Sequence, residues 1–208
     1  MTAAARASLK PCVALIVGAV LLLSGCVAEQ TTGAEPQLLT ADQIREYAAQ
    51  ERDAGHTEQA GILDDGKVTS DEYSNAFGLL ADCLSAKGLL VSEPAMDPVS
   101  NVRYAFSYDY NGINQVEALR VIDSCEAEFW TTVSVAFSLS REERMDPALA
   151  DYADGCLRDR GYAPAEGSSS VRDLVHELGD DASDDVVECV HRGVLELFPD
   201  LPSVAIGY

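Results

Sequence analysis

The chain has 208 residues, 35 acidic against 14 basic side chains, and a formal net charge of −21 at pH 7. A surface this acidic repels nucleic acid and anionic lipid head groups, so functions that rest on a basic patch are excluded. The length suits one domain or two small ones.

Arg6 and Lys10 precede an uncharged apolar run from Cys12 to Leu23, and Ser24-Gly25-Cys26 follows at once. A positive start, a short apolar centre and small residues at the end describe a secretory signal over residues 1–25. The run of about a dozen residues falls short of the roughly 20 that a spanning helix needs. Leu23-Ser24-Gly25-Cys26 resembles the lipobox of bacterial lipoproteins. That resemblance implies cleavage before Cys26, a diacylglycerol with palmitate-type chains on its thiol, and a mature protein on the extracytoplasmic face of the cell membrane. Loss of Arg6 and Lys10 with the signal takes the formal charge from −21 to −23. The expected membrane partner is therefore held by acyl chains, at about 0.8 kcal/mol per buried methylene, without help from basic side chains.

Val27 to about Leu39 is short, with Gln, Thr, Gly and Pro and few large apolar residues, and reads with Cys26 as an anchor and tether over 26–39. Thr40-Ala41-Asp42-Gln43 has the form of a capping box and predicts a helix that breaks near Gly55 or Gly61. Asp65-Gly66-Lys67-Val68-Thr69-Ser70-Asp71-Glu72 is similar to the second half of a calcium loop. Its first and third ligand positions, however, fall on Gly61 and Leu63, which offer no side-chain oxygen. A turn at Asp65-Gly66, then Thr69 as N-cap with Glu72 three residues on, accounts for it better. Tyr73, Phe77, Leu80 and Leu84 then recur at helical spacing, and Gly88 marks a stop.

Leu89-Leu90-Val91 is a short strand candidate. From Val102 to Tyr110 apolar and aromatic residues alternate with others over nine residues, which predicts one half-buried strand ending at Asn111-Gly112. A single long helix is expected from Asn114 to about Phe137. Ser140-Arg141-Glu142-Glu143 has capping-box form, and Asp146-Pro147 starts a helix running to Arg160. Short helices follow at about 171–178 and 185–198, with the acidic 180–185 stretch between them as loop.

Outside the signal and Cys26, four cysteines remain: Cys83, Cys125, Cys156 and Cys189. An even number in an exported chain points to disulfides, and the short Cys-x2-4-Cys pairs of zinc sites are absent. Cys83-Leu84-Ser85-Ala86-Lys87-Gly88 aligns with Cys156-Leu157-Arg158-Asp159-Arg160-Gly161 as Cys-Leu-x-x-basic-Gly. Each is followed by a later helical cysteine, so two related helix-insert-helix units are expected, at 40–138 and 139–208. The repeat favours local pairing, Cys83 with Cys125 and Cys156 with Cys189. The other two connectivities stay open on sequence alone. The turn-helix from Asp65 to Tyr73, the Cys-x-x-x-basic-Gly helix end and the later cysteine also resemble a group of actinobacterial exported paired-cysteine proteins. That resemblance covers about Gly61 to Phe137 well and the second half loosely, and implies no activity.

Motifs for chemistry are sparse. His56, His176 and His191 match no compact ligand spacing, although His176, His191 and Asp180 could be imagined around a metal. Gly167-Ser168-Ser169-Ser170 is not a nucleophile elbow, and no phosphate-binding glycine loop occurs. No cofactor, resident metal or catalytic residue is expected. The side chains of Tyr104, Phe106, Tyr108 and Tyr110 are the most distinctive candidate binding surface. Facing outward they would stack on a sugar or peptide; packed inward they would be core. The expected fold is α+β and mostly helical, with a small antiparallel sheet in the first of two disulfide-linked units. The expected function is a non-enzymatic lipoprotein that binds or assists another envelope protein or cell-wall component. The alternatives are a hydrolase using carboxylates or a cryptic metal site, and a purely structural lipoprotein.

Overall fold

A computed structural model describes residues 37–165, 167–202 and 206. The signal, Cys26 and the tether up to residue 36 lie outside the described residues. Eight α-helices carry the described fold: α1 (Ala41–Ala54), α2 (Thr57–Leu63), α3 (Ser70–Ala86), α4 (Gln115–Phe129), α5 (Thr131–Leu139), α6 (Pro147–Asp159), α7 (Val171–Leu178) and α8 (Ser183–Leu197). Four two-residue strands lie between α3 and α4: β1 (Leu90–Val91), β2 (Ala95–Met96), β3 (Tyr104–Ala105) and β4 (Tyr108–Asp109). The acidic stretch before α8 is a 3-10 turn, Asp180–Ala182, rather than open loop. No helix among the described residues is long and apolar enough to cross a membrane.

Five of the eight helix starts carry a side-chain cap. Thr40 and Gln43, Thr69 and Glu72, and Ser170 and Asp173 each exchange both bonds of a capping box. Asp146 accepts from Ala148 N–H ahead of Pro147. Gly55 ends α1 in the left-handed region, so the helix breaks there and α2 restarts two residues later. Gly66 is more demanding. Its φ is +81°, and a Cβ would stand 2.8 Å from the Ala41 carbonyl oxygen. Gly66→Ala is expected to lower the unfolding free energy by about 2–4 kcal/mol, as left-handed strain adds to a clash with backbone that cannot rotate away. Urea denaturation monitored by circular dichroism measures it.

The repeated Cys-Leu-x-x-basic-Gly has a structural cause. In the first copy Gly88 N–H donates to Ser85 O and Leu89 N–H to Leu84 O, both at 3.0 Å. In the second, Gly161 N–H donates to Arg158 O and Tyr162 N–H to Leu157 O, at 2.9 and 3.1 Å. Both are Schellman closures, with glycine left-handed just past the helix and leucine three residues from its end. The cysteine directly precedes that leucine in each copy. Cys83 bonds Cys125 across α3 and α4, with alpha carbons 5.9 Å apart. Cys156 bonds Cys189 across α6 and α8, at 5.7 Å. The connectivity is local, as the repeat indicated.

Three local expectations are corrected. The nine-residue strand is two short ones: β4 pairs antiparallel with β1, and β3 with β2. Leu90 faces Asp109 and Val91 faces Tyr108, but Ala95 faces Ala105 and Met96 faces Tyr104, so the register slips by one residue between the pairs. Three residues, Ser92 to Pro94, oppose two, Phe106 and Ser107. Pro94 lacks an N–H to bridge the gap, and the hairpin kinks there. The long helix is likewise two, α4 and α5, broken at Trp130 (φ −129°, ψ −50°). Ser140 starts no helix. Its hydroxyl donates back to Phe137 O, and Arg141 donates to the same carbonyl, so both close α5.

Two apolar clusters result. The first gathers Leu63, Tyr73, Leu80, Leu84, Ile122 and Val133 from α2 to α5. The second gathers Leu149, Leu157, Leu174, Val186 and Val190 from α6 to α8. The tip of the hairpin joins them. Val99 packs into the second cluster, and Asp146 N–H and Arg144 N–H donate to Pro98 O and Ser100 O. Buried Asp97 shapes that tip, accepting from Val99 N–H and Ser100 Oγ at 2.9 and 3.0 Å.

Candidate functional site

The alternating side of the hairpin lies on the first cluster. Tyr104, Phe106, Tyr108 and Tyr110 are half-buried and pack against it, while Ser107 and Asp109 on the other side are exposed. Tyr104 stacks on Tyr73 at 4.5 Å between centroids, and Phe106 meets Phe77 edge-on at 4.9 Å. Tyr73 also stacks on Phe137 and Trp130, at 3.9 and 4.7 Å. The rings therefore spend their faces mainly on one another, and their rims reach the surface.

Hydroxyls line that rim. Tyr104 OH pairs with Ser74 Oγ at 2.7 Å, and Tyr108 OH donates to the Glu126 carboxylate. Burial first, then the Glu126 carboxylate, raises the Tyr108 pKa beyond the ordinary tyrosine range, so the phenol stays a donor. Burial also raises the Tyr73 pKa. Both groups bind their protons more tightly folded than unfolded. Their contribution to stability is full below the unfolded value of about 10 and declines as pH rises above it. Alkaline titration at 295 nm should accordingly show tyrosines that ionise only together with the loss of helical circular dichroism. Ionisation of every tyrosine before unfolding would contradict this.

The histidines are dispersed. His56 Nδ1 is 2.7 Å from Glu51 Oε2, while His176 and His191 are exposed. No group of three or more His, Cys, Asp or Glu residues is placed to hold a metal among the described residues, the imagined His176–Asp180–His191 set included. An open groove of about 400 Å³ runs along α6 beside Cys156, lined by Asp151, Asp159, Arg160 and Arg192. Its guanidinium groups are already occupied: Arg160 by Asp185 and Glu188, Arg192 by Glu188. Hydrogen bonds from Tyr162 and then Arg160 lower the Asp185 carboxyl pKa, and those from Arg160 and then Arg192 lower that of Glu188.

Two polar features escaped sequence reading. Gln59 is fully buried. Its amide oxygen accepts from Thr132 and Val133 N–H at 2.8 and 3.1 Å, and its amide nitrogen donates to Ala127 O at 2.7 Å. These are backbone groups that the break at Trp130 leaves without helical partners. Glu51 supports the same junction by accepting from Thr132 Oγ1 at 2.6 Å. The second feature is a charge chain at the hairpin tip, where Arg103 lies 3.3 Å from Asp97 and 3.2 Å from Glu143. A glutamine inside an amphipathic helix carries no signal of either role. Comparison of the chain with protein-family models, with curated proteins and with solved structures finds no match.

Proposed function

We propose that the protein is a lipid-anchored extracytoplasmic protein held to the cell membrane through Cys26. Its folded part binds or assists another protein or cell-wall component of the envelope and performs no catalysis. The observation that carries the compartment is the pairing of Cys83 with Cys125 and Cys156 with Cys189, since structural disulfides belong to oxidising surroundings. The signal-like start and lipobox-like Leu23-Ser24-Gly25-Cys26 agree with it. The aromatic rim at Tyr104, Phe106, Tyr108 and Tyr110, with its hydroxyls, supports the binding role, because half-exposed ring edges beside hydroxyls suit edge-on contact and hydrogen bonding to a partner.

The test begins with mass. Produced with its own N-terminus in a bacterial host, the native chain is expected to end at Cys26 and to carry the added mass of a diacylglycerol. Cys26→Ser should abolish both the adduct and membrane fractionation. A native chain without lipid overturns the anchor. Crosslinking in intact cells should then recover one dominant envelope partner, weakened by Tyr110→Ala. Recovery of none overturns the binding role.

A further inference from the structure

We propose that the folded part lies against the bilayer through α5, with Leu38, Val135 and Leu139 as the contact. This rests on the reading of Cys26 as the lipid anchor and adds the face that meets the membrane. Leu38, Val135 and Leu139 are 40%, 39% and 53% exposed. Leu39 N–H donates to Leu139 O at 2.8 Å, which sets Leu38 beside the end of α5. Thr131, Val135 and Leu139 follow at four-residue spacing, form one stripe along the helix and are all exposed.

Charge singles this face out. α5 reads Thr-Thr-Val-Ser-Val-Ala-Phe-Ser-Leu and is the one α-helix among the described residues with no charged side chain. The other exposed apolar residues sit beside acids: Val116 and Leu119 share α4 with Glu117 and Asp123, Leu195 and Leu197 flank Glu196, and Leu90 faces Asp109 across the β1–β4 pair. A protein whose charge goes from −21 to −23 once Arg6 and Lys10 leave with the signal approaches an anionic lipid surface most easily where it presents no carboxylates. Chain connectivity points to the same face. Cys26 precedes Gln37 by eleven residues, a span of at most about 40 Å even fully extended. The described body begins at this stripe, so the stripe is the part nearest the anchor along the chain. Three apolar side chains would hold weakly from free solution. On a molecule already tethered to the same surface the contact is intramolecular, and a weak one suffices to orient the body.

The lipidated full chain, reconstituted in vesicles of phosphatidylcholine with a minority of phosphatidylglycerol brominated along the acyl tails, tests this. Leu139→Trp, inserted about 5–10 Å into the head-group boundary, should lose roughly half its added emission relative to unbrominated vesicles. Leu195→Trp on α8 should lose none, and buried Trp130 supplies the unquenched background. Flotation with the vesicles is measured on the same samples. Flotation without quenching at position 139, or with equal quenching at 195, overturns the docking face and leaves the anchor standing. Failure to float overturns both. Crosslinking between copies through position 139 without quenching assigns the stripe to a second copy and overturns the membrane contact.

Discussion

Gln59→Leu is expected to lower the unfolding free energy by about 3–5 kcal/mol, although the new side chain is apolar, similar in size and fully enclosed. Gln59 closes three backbone groups at the break between α4 and α5: the Thr132 and Val133 N–H and the Ala127 carbonyl. Leucine fills the space and satisfies none of them. Each buried group left unpaired costs about 1–3 kcal/mol, and partial relaxation of the break brings the sum into that range. The near-isosteric Gln59→Met should behave the same way, which separates lost hydrogen bonds from lost volume. Urea unfolding against the native chain is the measurement. A change below about 1 kcal/mol would show that ring packing around Trp130, and not the amide, holds the break.

Replacing Cys83 and Cys125 together by alanine should remove about 4 kcal/mol, and replacing Cys156 and Cys189 nearly as much. The two bridges close loops of similar length, with sequence separations of 42 and 33. Loop-closure entropy grows only with the logarithm of that length. A domain of ordinary stability has about 5–15 kcal/mol in total, so loss of both bridges is expected to leave much of the population unfolded at 37 °C. Denaturation with and without reductant tests this. Equal stability of the reduced and oxidised native chain would mean that the paired helices are held by packing alone.

The local devices of this fold were legible because each is written within a few consecutive residues. The capping boxes at Thr40 and Thr69, the Gly55 stop and the Gly66 turn follow from Thr, Gln, Glu and Gly at fixed offsets. So does the repeated Cys-Leu-x-x-basic-Gly, whose leucine and glycine are the two positions a Schellman closure needs. That repeat also carried the disulfide pattern, since two copies of one unit close alike. The candidate rim at Tyr104 to Tyr110 was visible as alternation, but alternation names a side of a strand and not what lies against it.

What only the tertiary structure decided involves partners far away in sequence. The helix from Asn114 to Phe137 breaks at Trp130 where the side chain of Gln59, 68 to 74 residues distant, takes over its backbone bonds. The strand from Val102 to Tyr110 divides because its partner across the ladder carries one residue more, with Pro94 among the extra residues. Ser140 starts nothing, since the α5 end it belongs to is closed on Phe137 O and held by Arg141 donating to Val68 O, 73 residues distant. In each case local propensity allowed continuation, and a segment brought near by packing decided against it. The chain by itself determined where its capped helices begin and favoured, without fixing, the local cysteine pairing; where its longest elements break was decided by which buried backbone groups found partners once the helices had packed.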